Sequence, residues 1–303
     1  MTSYLFKMIF GLLASLPLRW LHRLGALLGR IIFVVSKPYA ARTRENLRLS
    51  HLAANENHYA ALLTQTIAEA GKSILELPWL WSRPLEQISA KVRSCEGWKH
   101  IETAQASGKG IVFFTPHWGC FEITSLYVGQ YLPVTCLYRA PKQGWLETVM
   151  RNGRARGRVR LATADISGVR TLYKTLKRGE AIGLLPDQVP SQGEGEWVDF
   201  FARPAYTMTL SGRLAESSGA AVVLAYAERL PNGEGYTLHF EPLPLDFSKS
   251  VPLQINQALE RVIALSPAQY LWSYNRFKVP RGVQPPLAPE AMPGKTTSGE
   301  QAC

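Results

Sequence analysis

The feature that most constrains this chain is a rhythm: short, uncharged apolar runs recur along it, with helix-like stretches between them. IVFFT (111–115) is bounded by Gly110 and Pro116, and VTCLY (134–138), AIGLL (181–185) and AVVLAY (221–226) are similar. Runs this apolar belong to strands covered on both faces. GYTLHF (235–240) alternates instead, as a strand with one solvated face does. Helices are expected between them. Residues 168–178 carry Val169, Leu172 and Leu176 on one side and basic residues elsewhere. Residues 207–218 and 254–265 read as two more, the second ended by Pro267. An earlier helix over 57–80 carries Leu62, Leu63, Ile67, Ala70, Ile74 and Leu77, with Pro78 as its stop. This alternation predicts an α/β fold with a mostly parallel central sheet flanked by helices. No internal repeat is present.

The first 40 residues have a different character. Residues 4–35 are rich in Leu, Ile, Phe and Val, interrupted by Lys7, Arg19, His22, Arg23 and Arg30. No uncharged run reaches the roughly 18 residues that a clean spanning helix needs. Pro17 breaks or bends the segment, and no small-residue cleavage site follows it. Two helical pieces lying on a membrane surface fit this pattern, with basic side chains toward headgroups and apolar faces in the acyl region. A helix packed on the protein's own core and a single span are the other two readings. The domains expected are therefore a membrane-anchoring segment at 1–40, a catalytic domain at 41–281 and a disordered tail at 282–303. Residues 280–303 hold five prolines and no aromatic residue.

Charge is concentrated. The chain carries a formal +11. Seven basic residues precede the first acidic one, Glu45, and eleven Lys/Arg lie between Arg139 and Arg178 against only Glu147 and Asp165. Such blocks attract anionic lipid, acidic proteins or phosphates, or form a solvated basic face. Charge alone would also admit nucleic acid, but no helix-turn-helix, RNP or zinc pattern accompanies it. Cys95, Cys120, Cys136 and Cys303 show no metal-ligand or disulfide spacing. A reducing compartment follows, and no metal or cofactor is called for.

The chemistry concentrates in GKGIVFFTPHWGCFE (108–122). His117 stands just past a buried strand, at the carboxyl end where open α/β sheets place ligands. On one continuous helix His117 and Glu122 would point about 140° apart. They can cooperate only across a strand–loop–helix turn, which Gly119 permits. A neutral imidazole could then take the proton of an attacking hydroxyl, with a carboxylate fixing its tautomer. Taken alone, His-x4-Glu also fits a structural histidine, and Cys120 offers a rival nucleophile. No G-x-S-x-G elbow, Walker A loop or G-x-G-x-x-G cradle is present.

The linked motifs carry a resemblance. GKGIVFFTPHWGCFE, LYRA (137–140), RNGRARG (151–157), LKRGEAIGLLPDQ (176–188), VDFFARPAYT (198–207) and SPAQYLWSYNRFKVPRG (266–282) run in order, with ENLRLS (45–50) before them. Over roughly residues 40–281 they resemble the bacterial lipid A biosynthesis acyltransferases of the late, lauroyl or myristoyl, group. That group is similar to glycerolipid acyltransferases in its H-x4-D/E motif. Cys120 and Phe121 stand where many members have Asn-Trp, and LYRA lacks the usual following proline.

The resemblance implies a glycerolipid-acyltransferase-like fold. It implies an acyl-carrier-protein thioester as donor, a lipid A precursor hydroxyl as acceptor, and work at the inner membrane with the catalytic domain on the cytoplasmic side. It makes His117 the base and Glu122 the completion of the motif. Arg154 or Arg156 would neutralise developing charge or hold a phosphate, as the planar arginine fork suits, and Arg139 and Gln188 fall in matching motifs. Asp187 is a second candidate to orient His117, because its strand could neighbour 111–115. The residues leave Glu122 and Asp187 both open. Trp118, Phe121, Trp197, Phe200 and Phe201 could line an acyl channel or form ordinary core. An acyltransferase for another acceptor and a non-catalytic lipid-binding relative are the competing functions.

Overall fold

The computed structural model describes residues 2–141 and 143–286, so the expected tail lies outside the described residues from 287 onward. Six helices come first: α1 (Thr2–Ser15), α2 (Leu18–Val35), α3 (Lys37–Arg48), α4 (Glu56–Leu75), α5 (Leu77–Ser82) and α6 (Leu85–Ser89). Strand and helix then alternate as β1 (Val92–Glu96), α7 (Trp98–Ala106), β2 (Ile111–Phe114), α8 (Phe121–Tyr131), β3 (Val134–Tyr138), α9 (Gly144–Arg154), β4 (Val159–Thr163), α10 (Ile166–Lys177) and β5 (Ala181–Leu184). The chain closes with β6 (Gly195–Phe200), β7 (Arg203–Met208), α11 (Leu210–Ser218), β8 (Ala221–Arg229), β9 (Tyr236–Pro242) and α12 (Val251–Leu265).

Seven strands form one sheet in the order β1-β9-β8-β2-β5-β3-β4. Neighbours are parallel throughout except for β8 and β9. The fold is thus α/β with a mostly parallel central sheet flanked by helices. The pleat divides the core. Val112, Phe114, Ile182 and Leu224 face Leu172, Leu214 and Leu259 of α10, α11 and α12. Ile111, Phe113, Val223 and Ala225 face Leu21, Leu80, Ile101 and Ile123 of α2, α5, α7 and α8. Both faces being covered explains why β2 and β5 are buried at every residue.

Three expectations change. Pro78 does not stop the helix over 57–80. That helix ends at Leu75, and Pro78 sits in the first turn of α5, where its missing N–H costs nothing. The strand at 235–240 is covered on both sides rather than half-solvated: Tyr236, Thr237, Leu238 and Phe240 are all buried. Residues 207–218 are not one helix, because β7 runs to Met208 and pairs antiparallel with β6. The turn of that hairpin places Phe201 (φ 50°) and Ala202 (φ 54°) in the left-handed region without a glycine. Its usual sequence signal is therefore missing.

At the N-terminus, Pro17 separates α1 from α2. α2 buries Leu18, Leu21, His22, Gly25, Gly29 and Phe33. Its crossing with α4 is glycine on glycine: a Cβ at Gly71 would lie 1.9 Å from the Gly25 carbonyl oxygen, and one at Gly29 2.1 Å from that of Ile67. The opposite side of α2 is apolar too, yet Trp20, Leu24, Leu27, Ile31, Val34 and Val35 are exposed, as are Met8, Ile9 and Leu12 of α1. Among the described residues no single helix is long and apolar enough to cross a membrane. α2 and α3 meet that test only together, bent by 104°.

Candidate active site

β2 ends at Phe114, and the chain then turns at the carboxyl edge of the sheet before α8 begins. The turn is held from several sides. Gly119 N donates to Gln269 O at 3.0 Å, Cys120 N to Ala227 O at 2.9 Å, and Leu271 N to His117 O at 3.1 Å. Gly119 adopts φ +57°, and a Cβ there would lie 2.0 Å from the Ala227 oxygen. Only glycine fits. Trp118, fully buried, anchors the turn through its indole N–H on Ser266 O at 2.9 Å.

His117 is thereby presented at the end of β2, and its partner comes from the neighbouring strand. β2 and β5 pair in parallel, Phe114 opposite Leu184, so Asp187 leaves β5 beside His117. Asp187 Oδ2 accepts the His117 backbone N–H at 2.8 Å, and Oδ1 lies 2.8 Å from Nδ1. Burial alone would raise the Asp187 carboxyl. Attraction to the His117 ring when it takes up a proton, the two hydrogen bonds from that residue and the Arg276 guanidinium more than offset this and hold it below the ordinary carboxylate range. An ionised carboxylate only accepts, so Nδ1 carries the proton and Nε2 keeps its lone pair. The Gln188 amide nitrogen lies 3.1 Å from Nε2 and steadies the ring from its other side.

Glu122 occupies the first turn of α8 and is buried, but it is engaged elsewhere. Arg154 grips both of its oxygens, with Nε at 3.1 and 2.9 Å and Nη2 also on Oε1. The Trp81 indole N–H donates to Oε2 at 3.3 Å, and the Arg154 guanidinium lies over the same indole, 5.5 Å from its centroid. His117, Glu122 and Arg154 all line one cavity of about 600 Å³, a size suited to a small-molecule site. It descends from the carboxyl edge between α8 and the sheet, past Phe113, Val128, Val134, Cys136 and Leu161.

Of the sequence-derived candidates, His117, Glu122, Arg139, Arg154 and Gln188 reach this cavity. Asp187 stands directly behind His117. Arg156 does not join them: it donates to the carbonyls of Leu80 and Arg83 and so ties down α5. Cys120 is fully buried, and burial, then the charge of Glu76, pushes its thiol well above the ordinary value. It is therefore no nucleophile. Of the aromatic set only Phe121 lines the cavity. Trp118, Phe200 and Phe201 pack in the core, and Trp197 donates to Gln284 O on the hairpin. Two contributors had not been singled out. Arg276 lay inside a quoted motif, but nothing in the sequence linked it to Asp187. Trp81 belonged to no motif and gave no signal.

A mostly parallel sheet covered on both faces, with a His–Asp pair at its carboxyl edge beside a cavity, has the parts that a general-base site needs. Comparison with known proteins narrows this. The family described as bacterial lipid A biosynthesis acyltransferase matches residues 1–279, and the chain belongs to that family. It is 30% identical to the lipid A biosynthesis lauroyltransferase of Escherichia coli K12, over 91% of each chain. It is 26% identical to the palmitoleoyltransferase of the same organism, over 83% of this chain and 84% of that one. It is also 24% identical to the corresponding myristoyltransferase, over 88% and 82%.

Proposed function

We propose that this protein transfers a fatty-acyl chain from an acyl-carrier-protein thioester to a hydroxyl of a lipid A precursor. The observation that carries the reading is the His117–Asp187 pair: His117 lines a largely apolar cavity, and its Nε2 faces the Gln188 amide, which an acceptor hydroxyl displaces. Nε2 takes the proton of the acceptor hydroxyl as its oxygen attacks the thioester carbonyl, and Asp187 stabilises the resulting imidazolium. The tetrahedral intermediate then collapses, the C–S bond breaks, and the thiolate leaves with the proton from His117. The donor is already activated, so neither a covalent enzyme intermediate nor a cofactor is needed.

Arg154, aimed by Glu122, is the cation that meets charge developing on the thioester oxygen. Glu122 thus serves the reaction through Arg154, while Asp187 serves it through His117. The acyl chain occupies the arm of the cavity between α8 and the sheet, and Arg139 at the rim meets the acceptor's phosphate.

The site works at the inner membrane, with the catalytic domain on the cytoplasmic side. The exposed apolar faces of α1 and α2 support this. Trp20, Leu24, Leu27 and Ile31 stand beside Arg23 and Arg30, the arrangement of a helix lying in a headgroup layer. The free cysteines Cys95, Cys120 and Cys136 suit a reducing compartment.

The test is transfer by the purified protein from an acyl-carrier-protein thioester to a lipid A precursor, read by mass spectrometry of the lipid. One added acyl mass is expected, and its loss in His117→Ala with the fold retained. Full activity in His117→Ala, or no transfer by the wild type, overturns the reading.

A further inference from the structure

α10 carries Arg170, Lys174 and Lys177 and no acidic residue. Their spacing of four and three places them in one row on the helix surface. All three are exposed, while Leu172 and Leu176 are buried beneath. None forms an ion pair among the described residues, and the same holds for exposed Arg213 on α11. The contrast lies close by, where Arg160 and Arg178 both pair with Glu180. This row is thus a positive field without internal compensation, of the kind that draws in an anionic partner.

The row also leads to the catalytic cavity. A groove between α10 and α11 is lined by Val169, Tyr173, Lys174, Leu214, Arg170 and Arg213. Arg170 and Arg213 also stand on the rim of the cavity that holds His117. A partner seated on α10 therefore approaches the catalytic cavity along the residues that the two share. That path does not come from the side expected to meet lipid. Leu172 and Leu176 pack with Val112, Phe114 and Leu184, whereas Leu18 and Leu21 of α2 pack with Ile111, Phe113 and Ala225. α10 covers the sheet face opposite to the one α2 packs on.

We propose that the basic row of α10 is the docking surface for the donor: an acidic carrier protein lays an acidic helix along Arg170, Lys174 and Lys177. Its thioester arm enters through the groove between α10 and α11, and Arg170 and Arg213 meet the phosphodiester of that arm. This rests on the acyl-transfer reading and assigns the two substrates to different sides of the molecule. The lipid acceptor arrives from the side of α1 and α2, and the protein donor from the side of α10.

The test uses the full-length protein and Lys177→Glu, an exposed residue that lines neither the catalytic cavity nor the groove. Wild type and variant are each assayed with the acyl-carrier-protein thioester and with the same acyl chain on pantetheine alone. With the carrier, KM is expected to rise about threefold or more and to depend less steeply on salt, with kcat unchanged. With the pantetheine thioester, neither constant moves. An unchanged carrier KM, or equal loss with both donors, overturns the docking surface. So does weaker co-sedimentation of the variant with vesicles of anionic phospholipid when the carrier KM is intact, since the row would then bind lipid. Wild-type protein that uses neither donor overturns the acyl-transfer reading itself, and this proposal with it.

Discussion

His117 Nδ1 lies 2.8 Å from Asp187 Oδ1, and that one contact, by holding a proton on Nδ1, decides which nitrogen can act as base. Asp187→Asn presents a donor or a neutral acceptor in its place and lets the ring adopt the wrong tautomer. We expect a loss of about 10³- to 10⁴-fold in kcat with an unchanged near-ultraviolet circular dichroism spectrum. An enzyme of near-normal rate would remove Asp187 from the mechanism. Glu122 and Arg154 act as a unit, so Glu122→Gln and Arg154→Met should each lower kcat/KM by about 10²-fold or more. The double variant should be no worse than the worse single one; strictly multiplicative losses would show that the two work independently. Much of this site was legible beforehand. His117 followed from its place past a buried strand, and Asp187 from a strand end that could neighbour it. What spacing could not decide was which carboxylate meets the ring. That depends on β5 lying next to β2, and strand order is set by packing far from either residue.

Among elements, the α2–α4 crossing is the most exacting. Backbones touch at Gly25, Gly29 and Gly71, so Gly71→Ala forces the helices apart. We expect a cost of about 1–3 kcal/mol, read as a lower midpoint in thermal unfolding; an unchanged midpoint would mean that the helices are not held this close. The outer face of α2 carries the membrane reading. Leu24→Glu/Ile31→Glu should leave the fold intact, since both side chains are exposed, and release the protein from vesicles. Unchanged co-sedimentation would place the anchor elsewhere. The apolar richness of residues 4–35 and the break at Pro17 marked two helical pieces but did not show that both faces of α2 are apolar for different reasons, one packed and one bare. The β6–β7 hairpin went unread because Phe201 and Ala202 hold the turn where glycine or asparagine is usual, with the Phe201 N–H fixed on Glu260 at 2.7 Å.

At the scale of the whole molecule, a buried charge cluster joins the N-terminal helices to the catalytic turn. Arg229 donates to Glu76 from Nε at 3.0 Å, to Glu69 at 2.7 Å, to Ser73 at 3.0 Å and to the Gly119 carbonyl at 2.8 Å. The Tyr236 hydroxyl and His22, at 3.1 and 3.4 Å, complete the surroundings of Glu76. Burial would raise the Glu76 carboxyl, yet Arg229 and His22 bring it down from 4.5 to about 2. The folded value is below the unfolded one, so this stabilisation is fully present above about pH 4.5 and is lost as pH falls toward 2. It amounts to something on the order of 3 kcal/mol. Glu76→Gln should lower stability at neutral pH, because Arg229 keeps a buried charge with less to meet it. It should also flatten the acid limb of denaturant unfolding between pH 4.5 and 2; an acid limb of unchanged slope would show that Glu76 does not titrate there. No sequence pattern announced this cluster, since its members come from α2, α4 and the residue after it, the catalytic turn, β8 and β9. By itself the sequence determined the class of fold, the place of His117 and the concentration of positive charge. Each of these is written in residues near one another along the chain, as an apolar period, a strand end or a block of like charges. The tertiary structure alone decided that Asp187 meets His117, that Glu122 meets Arg154, and that the basic row of α10 lies across the sheet from α2. Those are contacts between distant segments, and only the packing of the sheet and its two helical layers brings them together.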